Sequence, residues 1–290
     1  MRTLENASPF AAFLYFAAVI GICMFCRDPI ISTVSLLFSV AFYFVRGGRG
    51  SALGHVLSFA FLVVLTVINP FFYHNGATVL FFFGNSAVTL EALIYGACSA
   101  EAVVSVIYWF RSFSEIMTED KLLCVFGTLS PKLSLMLSMV LRFVPMFARR
   151  TKQVNGAQKV LGLYKEDNVI DSVRGGARVF SGVAGWALEG GITTADSMEA
   201  RGYGTGRRTS FSLYGLHRSD VVFIVITAVI FAFSVAGLIV SEDFVFYPKI
   251  TVPTGAWSVI SYALYGALCA VSIICQIAEE LKWKLSLSKI

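Results

Sequence analysis

Six stretches of at least seventeen predominantly apolar residues, at 9–26, 29–45, 52–72, 90–110, 221–240 and 255–275, restrict what this 290-residue chain can fold into. In hydrocarbon every backbone N–H and C=O must find a partner inside the protein, and a lone segment manages that only as a helix. About twenty residues rising ~1.5 Å each cross a bilayer, so four of the stretches are ample, the first is just enough and the second is short. Charged residues make up 14% of the chain and hydrophobic ones 57%, whereas a soluble domain carries about a quarter charged residues. The reading is an all-α polytopic membrane protein with about six transmembrane helices. The first stretch runs straight into the second without a cleavage pattern, so it is expected to be retained.

Residues 111–218 differ from the rest. They hold fifteen of the 23 Lys and Arg residues, and this divides the chain into N-terminal spans (1–110), a basic segment of amphipathic helices (111–218) and a C-terminal helix pair with a basic tail (219–290). Basic residues favour the cytoplasmic side, which places 111–218 there. Counting back over four spans puts the N-terminus and the Arg46/Arg49 turn inside, and Lys282, Lys284 and Lys289 put the C-terminus inside. Residues 133–147 are apolar but contain Arg142 and Pro145, with Lys132, Arg149 and Arg150 at their ends. They are expected to lie along the membrane face or against neighbouring helices rather than to cross. Gly175, Gly176, Gly182 and Gly185, within 168–190, predict close helix packing. The apolar run 79–83 is too short to cross and is expected to be interfacial or re-entrant.

The most informative stretch is 194–209, TADSMEARGYGTGRRT. Ala195, Met198, Glu199, Ala200 and Arg201 favour a helix, with Thr193 or Thr194 as its N-cap. Arg201 suits the negative end of the helix dipole, and Gly202 can close the helix in the left-handed conformation. Gly204 and Gly206 loosen the exit, and Arg207 and Arg208 add charge. Such a tip presents one guanidinium to a carboxylate in a partner's groove. A second stretch forty residues earlier, Ala157-Gln158-Lys-Val-Leu161-Gly162-Leu, has the same layout of a helix ending at glycine followed by a bulky residue.

Several chemistries lack their residues. No GxxxxGK[ST] loop is present, and the glycines at 202–206 follow a helix where a nucleotide loop would follow a strand. HExxH, GxSxG and paired intramembrane aspartates are missing, and the three histidines are too dispersed for a metal site. Cys23 and Cys26 read as small apolar residues of a membrane helix. Glu101 is the clearest ionisable residue at membrane depth; with only Ser99 and Ser105 as polar neighbours, contact with another helix is its expected role. Glu91 and His55 lie near span ends, within reach of water. A self-contained secondary transporter or channel would need a polar path, for which Glu101 and Asn69 are the only material.

These residues resemble the transmembrane T component of energy-coupling factor (ECF) transporters, the CbiQ/EcfT family, over most of the chain. Ser197-Met-Glu-Ala-Arg-Gly-Tyr203 is similar to that family's second Ala-Arg-Gly coupling motif. Leu141-Arg-Phe-Val-Pro145 is similar to the stretch preceding the first motif. Asn69-Pro70, the run from Gly76 to Phe81, and Thr89-Leu-Glu91-Ala follow the family's order around the third and fourth spans. The resemblance implies a multi-pass subunit of a bacterial or archaeal cell membrane that is not an enzyme and binds no cofactor. It would join two cytoplasmic ABC-type ATPases, which use the ATP, to a small membrane S component that binds a vitamin or metal ion; nucleic acid has no part. Glu199, Ala200, Arg201 and Gly202 would make one ATPase contact, and Ala157, Gln158, Leu161 and Gly162 the other. Two features depart from the family. Leu161 stands where the first motif has arginine, so that contact is apolar or uses Lys159. Asn6-Ala-Ser-Pro9 replaces a basic N-terminal stretch.

Overall fold

The computed structural model describes residues 7–26, 28–48, 52–73, 76–83, 86–163, 169–206, 214–215, 217–240, 244–247, 251, 253 and 255–287. Among them the chain forms nine helices and one hairpin. These are α1 (Pro9–Phe25), α2 (Pro29–Val45), α3 (Ala52–Phe72), β1 (Val79–Phe83), β2 (Ser86–Thr89), α4 (Leu90–Ile116), α5 (Glu119–Leu129), α6 (Pro131–Val160), α7 (Val169–Ala200), α8 (Arg218–Val240) and α9 (Ala256–Leu287). Two compact units result. One comprises Met1–Leu122 with Tyr214–Ile290, the other Leu123–Leu213.

The first unit contains helices at the six expected positions, with starts close to those read from apolarity, while α4 and α9 run on to Ile116 and Leu287. α3, α4, α8 and Ala256–Ala278 of α9 are long and apolar enough to cross a membrane. α1 and α2 have 17 residues each, reaching only about 25 Å of the ~30 Å hydrocarbon thickness. Both begin at a proline, which suits a first helical position because no N–H is lost there. Ser8 caps α1 by accepting from the Ala11 N–H.

An aromatic cluster joins these helices. Trp109 of α4 is fully buried and donates from Nε1 to Ser35 Oγ of α2 at 3.1 Å. Phe42 stacks on it at 5.9 Å, and Phe16 of α1 meets it edge-on at 6.1 Å. Tyr15 of α1 donates its hydroxyl to the Leu268 carbonyl of α9 at 3.1 Å. Each polar tip thus has a partner, as buried Trp and Tyr require. Small residues set the helix separations. Ser32, Ser35 and Ser39 form a buried stripe at helical spacing on α2. A Cβ at Gly96 of α4 would lie 2.9 Å from both Asn69 Cβ and the Thr66 carbonyl of α3, and Gly237 of α8 abuts Ser261 of α9.

One element departs from the all-α expectation. Residues 79–83 form the first strand of an antiparallel hairpin, with Val79 opposite Thr89 and Phe83 opposite Ser86. Pairing satisfies backbone groups that so short a run could not satisfy as a helix; its turn, Gly84-Asn85, lies outside the described residues. Glu91 clips this hairpin to α4. It is 4% exposed, not solvated as expected, and accepts from Thr78 Oγ1 at 2.6 Å and from the Thr78 N–H at 3.2 Å. Gly76 leaves the carboxylate its room, since a Cβ there would lie 2.6 Å from Glu91 Oε2.

In the second unit α6 and α7 pack together. The expected helix at 133–147 is part of α6, which has 30 residues and continues through Pro145. α6 is also long and apolar enough to cross a membrane by length and composition. α7 has 32 residues and fuses the glycine-rich segment to the tip helix. Thr193 and Thr194 therefore do not cap a helix start. Their hydroxyls donate back to the carbonyls of Glu189 at 2.9 Å and Gly190 at 2.6 Å, the usual bonding of threonine inside a helix. The expected glycine-mediated packing is confined to part of the segment. Gly175 is buried, and a Cβ added at Gly182 would lie 4.0 Å from Val154 Cγ1, while Gly176, Gly185, Gly190 and Gly191 have nothing within 4 Å of an added Cβ. Large side chains hold these helices apart instead: Phe147 meets Trp186 edge-on at 5.9 Å, and Arg150 lies over the Trp186 ring at 5.3 Å.

Gly96→Leu is expected to destabilise the first unit by about 1–3 kcal/mol through overpacking against α3. The unfolding midpoint of the detergent-purified protein should fall accordingly. Gly21→Ala, with nothing within 4 Å of the new Cβ, should leave it nearly unchanged.

Candidate functional site

The two stretches singled out by their shared layout end their helices in the same way. At the end of α7, the Gly202 N–H donates to the Glu199 carbonyl at 2.8 Å and the Tyr203 N–H to the Met198 carbonyl at 3.0 Å. At the end of α6, the Gly162 N–H donates to the Lys159 carbonyl at 3.1 Å and the Leu163 N–H to the Gln158 carbonyl at 3.1 Å. Both are Schellman caps, which need a left-handed residue after the cap position. Gly202 has φ +83° and Gly162 has φ +64°. Arg201 and Leu161 therefore occupy one and the same position, the helix cap, in two matching tips.

The tips differ in what they display. Arg201, Glu199, Ala200 and Gly202 are all exposed, as are Ala157, Leu161 and Gly162. Leu161 is 71% exposed and Val160 88%, so the first tip is an apolar knob where the second carries a guanidinium. Gln158 is half-buried, and its Oε1 is a buried acceptor without a hydrogen-bond partner among the described residues. Gly204 is also left-handed, at φ +89°, and Thr205 Oγ1 donates to the Gly202 carbonyl at 2.7 Å. Arg207 and Arg208 lie outside the described residues.

α6 and α7 run antiparallel. Arg178, early in α7, donates from Nη1 to the carbonyl of Leu163 at 3.0 Å. At the other end Arg201 shares a cleft of about 710 Å³ with Met139, Arg142 and Glu189. Counted along α6 between residues 139 and 163, the tips stand on the order of 35 Å apart, at opposite ends of one helix pair. A second groove, of about 650 Å³, is lined by Met136, Val140 and Phe143 of α6 and by Ala195, Glu199 and Tyr203. Arg178 and Trp186 belong to no motif, and only the packing identifies them.

The intramembrane polar residues do not form a site together. Glu101 of α4 is half-buried and accepts from Thr33 Oγ1 of α2 at 2.8 Å, the interhelical contact expected of it. Asn69 of α3 packs instead on Gly96 in the α3–α4 interface. His55 Nδ1 pairs with the Tyr108 hydroxyl at 2.9 Å, and its ring stacks between Phe44 and Tyr108. Arg46 closes the same end of the unit, donating to the Ser112 carbonyl at 3.2 Å and standing 3.6 Å from the Glu115 carboxylate. Cys23 lies 3.0 Å from Ser105 Oγ, and the described cysteines are free thiols.

Substituting Gly202 by alanine forces a side chain into a left-handed cap at a cost of about 1–2 kcal/mol. Amide hydrogens at 198–203 should then exchange faster while those of α6 keep their protection, which deuterium exchange read by mass spectrometry would reveal.

Comparison with known proteins places these tips in a family. Residues 2–212, both tips included, match the family model CbiQ, cobalt transport protein. The energy-coupling factor transporter transmembrane protein EcfT of Streptococcus thermophilus is 26% identical over 228 residues, covering 73% of this chain and 84% of the relative. EcfT 1 of Listeria monocytogenes is 26% identical, covering 62% and 70%, and EcfT of Streptococcus equi is 25% identical, covering 58% and 67%. All are transport proteins of the membrane and not enzymes. The match runs from the first residues through both capped tips, and the chain belongs to the CbiQ family of cobalt transport proteins.

Proposed function

We propose that the chain is the coupling subunit of an ECF-type importer, in which each helix tip docks on one of two cytoplasmic ABC-type ATPases and a small membrane S component carries the substrate site. The observation that supports this most is the pair of matched Schellman-capped tips at opposite ends of α6 and α7. Two equivalent projections held on the order of 35 Å apart suit a partner with two similar halves. The relatives' names, energy-coupling factor transporter transmembrane proteins, support the same assignment. In this reading the tip-bearing unit and both termini face the cytoplasm, where the basic residues of 111–218 favour it. α6 lies against the membrane face there, its length notwithstanding, because Arg142, Arg149, Arg150 and Lys152 would be costly in hydrocarbon. The vitamin or metal ion is recognised by the S component, and the ATP is used by the ATPases.

The competing reading, a self-contained secondary transporter, finds little support. Its two candidate polar residues belong to different helix interfaces, Glu101 to α2–α4 and Asn69 to α3–α4.

Arg201→Glu is expected to weaken ATPase docking by about 2–5 kcal/mol, because it sets like charges together in a desolvated groove. The test is affinity purification from native membranes, as wild type and as Arg201→Glu, with co-purifying proteins identified. Two ATPases and a small membrane protein with the wild type, and loss of the ATPases with the variant, are expected. ATPases retained at wild-type level by Arg201→Glu would rule out the pairing. A lone chain in both preparations, under crosslinking, would overturn the coupling role.

A further inference from the structure

The first tip has no guanidinium of its own, only the exposed ammonium of Lys159 two residues before Leu161, yet a guanidinium stands beside it. Arg178 projects from α7 and donates from Nη1 to the carbonyl of Leu163, the residue that completes the α6 cap. That carbonyl lies at the negative end of the α6 dipole, where a cation is favoured. Arg178 is exposed, and a guanidinium carries five donors in a planar fork, of which this bond uses one nitrogen. Leu161, at the position matching Arg201, is exposed and apolar. The first tip therefore carries a guanidinium in space, supplied by the neighbouring helix, in addition to its own Lys159. The antiparallel pairing makes this possible, because it brings the first turns of α7 to the end of α6.

We propose that Arg178 is the docking cation of the first tip, pairing with a carboxylate of the ATPase that receives it while Leu161 fills the apolar part of the same groove. The proposal rests on the coupling role argued above. It makes Arg178 a specificity-determining residue and Leu163 the group that positions it. Bonding to the backbone carbonyl fixes the fork at the tip, which a lysine at 178, with its single ammonium, would do less well.

The experiment measures recovery of the two ATPases with the full chain in mild detergent, together with the salt dependence of that recovery. Arg178→Gln keeps a donor for the Leu163 carbonyl but removes the charge. It should lower recovery about tenfold or more, as loss of one partner of a buried charged pair does, and flatten the salt dependence. Adding Leu161→Arg to Arg178→Gln returns charge to the tip without the Leu163 bond, and recovery should rise again. Arg201→Glu serves as the reference. If Arg201→Glu loses the ATPases while Arg178→Gln retains them at wild-type level and salt response, Arg178 is not the docking cation and the coupling role stands. If Arg178→Gln loses them and Leu161→Arg fails to restore them, with α6 and α7 still protected in deuterium exchange, the charge is not what matters and the proposal fails. If the wild type brings down no ATPase, the coupling role falls, and this proposal with it.

Discussion

Lipid removes the force that usually holds a core together. A leucine facing an acyl chain is as content as one facing another helix, so helices in a bilayer associate through close packing and internal hydrogen bonds. The first unit is built accordingly. Its large apolar side chains are spread over the outside, as exposed Leu57, Phe59, Phe233 and Val259 illustrate. Its interior is made from serines on α2, glycines at 96 and 237, and one aromatic cluster whose polar atoms are satisfied by Ser35 and the Leu268 carbonyl. The carboxylates of α4 follow the same rule. Glu91 accepts from Thr78, and Glu101 from Thr33.

Much of this was legible in the amino-acid order because bilayer thickness acts on runs of residues. Apolar length located all six helices of the first unit, with prolines at 9 and 29 marking two starts. What was not legible depends on partners far apart in the chain. Val79 to Phe83 is too short to show whether it is strand or interfacial helix until residues 86–89 pair with it. Glu91 reads as an ordinary residue at a span end until the hairpin folds over it. Thr193 and Thr194 carry a strong capping preference, but a threonine hydroxyl is equally able to bond the preceding turn. Continuation of α7 through them was decided by the helix on both sides. The glycines of α7 were misleading for a similar reason, since Trp186 and Phe147 keep α6 too distant for most of them to touch it.

The tips were the most legible part, because a Schellman cap is encoded in a few adjacent residues. Gly162 and Gly202 fix the geometry locally, and the residue before each glycine fixes what is displayed. The chemistry around the tips was not local. Arg178 is sixteen residues beyond Gly162 in sequence and reaches the Leu163 carbonyl only because the helices double back. Motif reading alone would leave the first tip with Lys159 and no guanidinium.

The threonine bonds inside α7 also bear on mechanics. An interruption near residue 193 would have made the second tip a separate flap, able to swing without disturbing anything else. As one helix of 32 residues, about 48 Å long, α7 makes the second tip the end of the same element that packs on α6, so the tip cannot turn without turning that element. In α6, Pro145 removes a backbone donor in mid-helix, the place where helices yield.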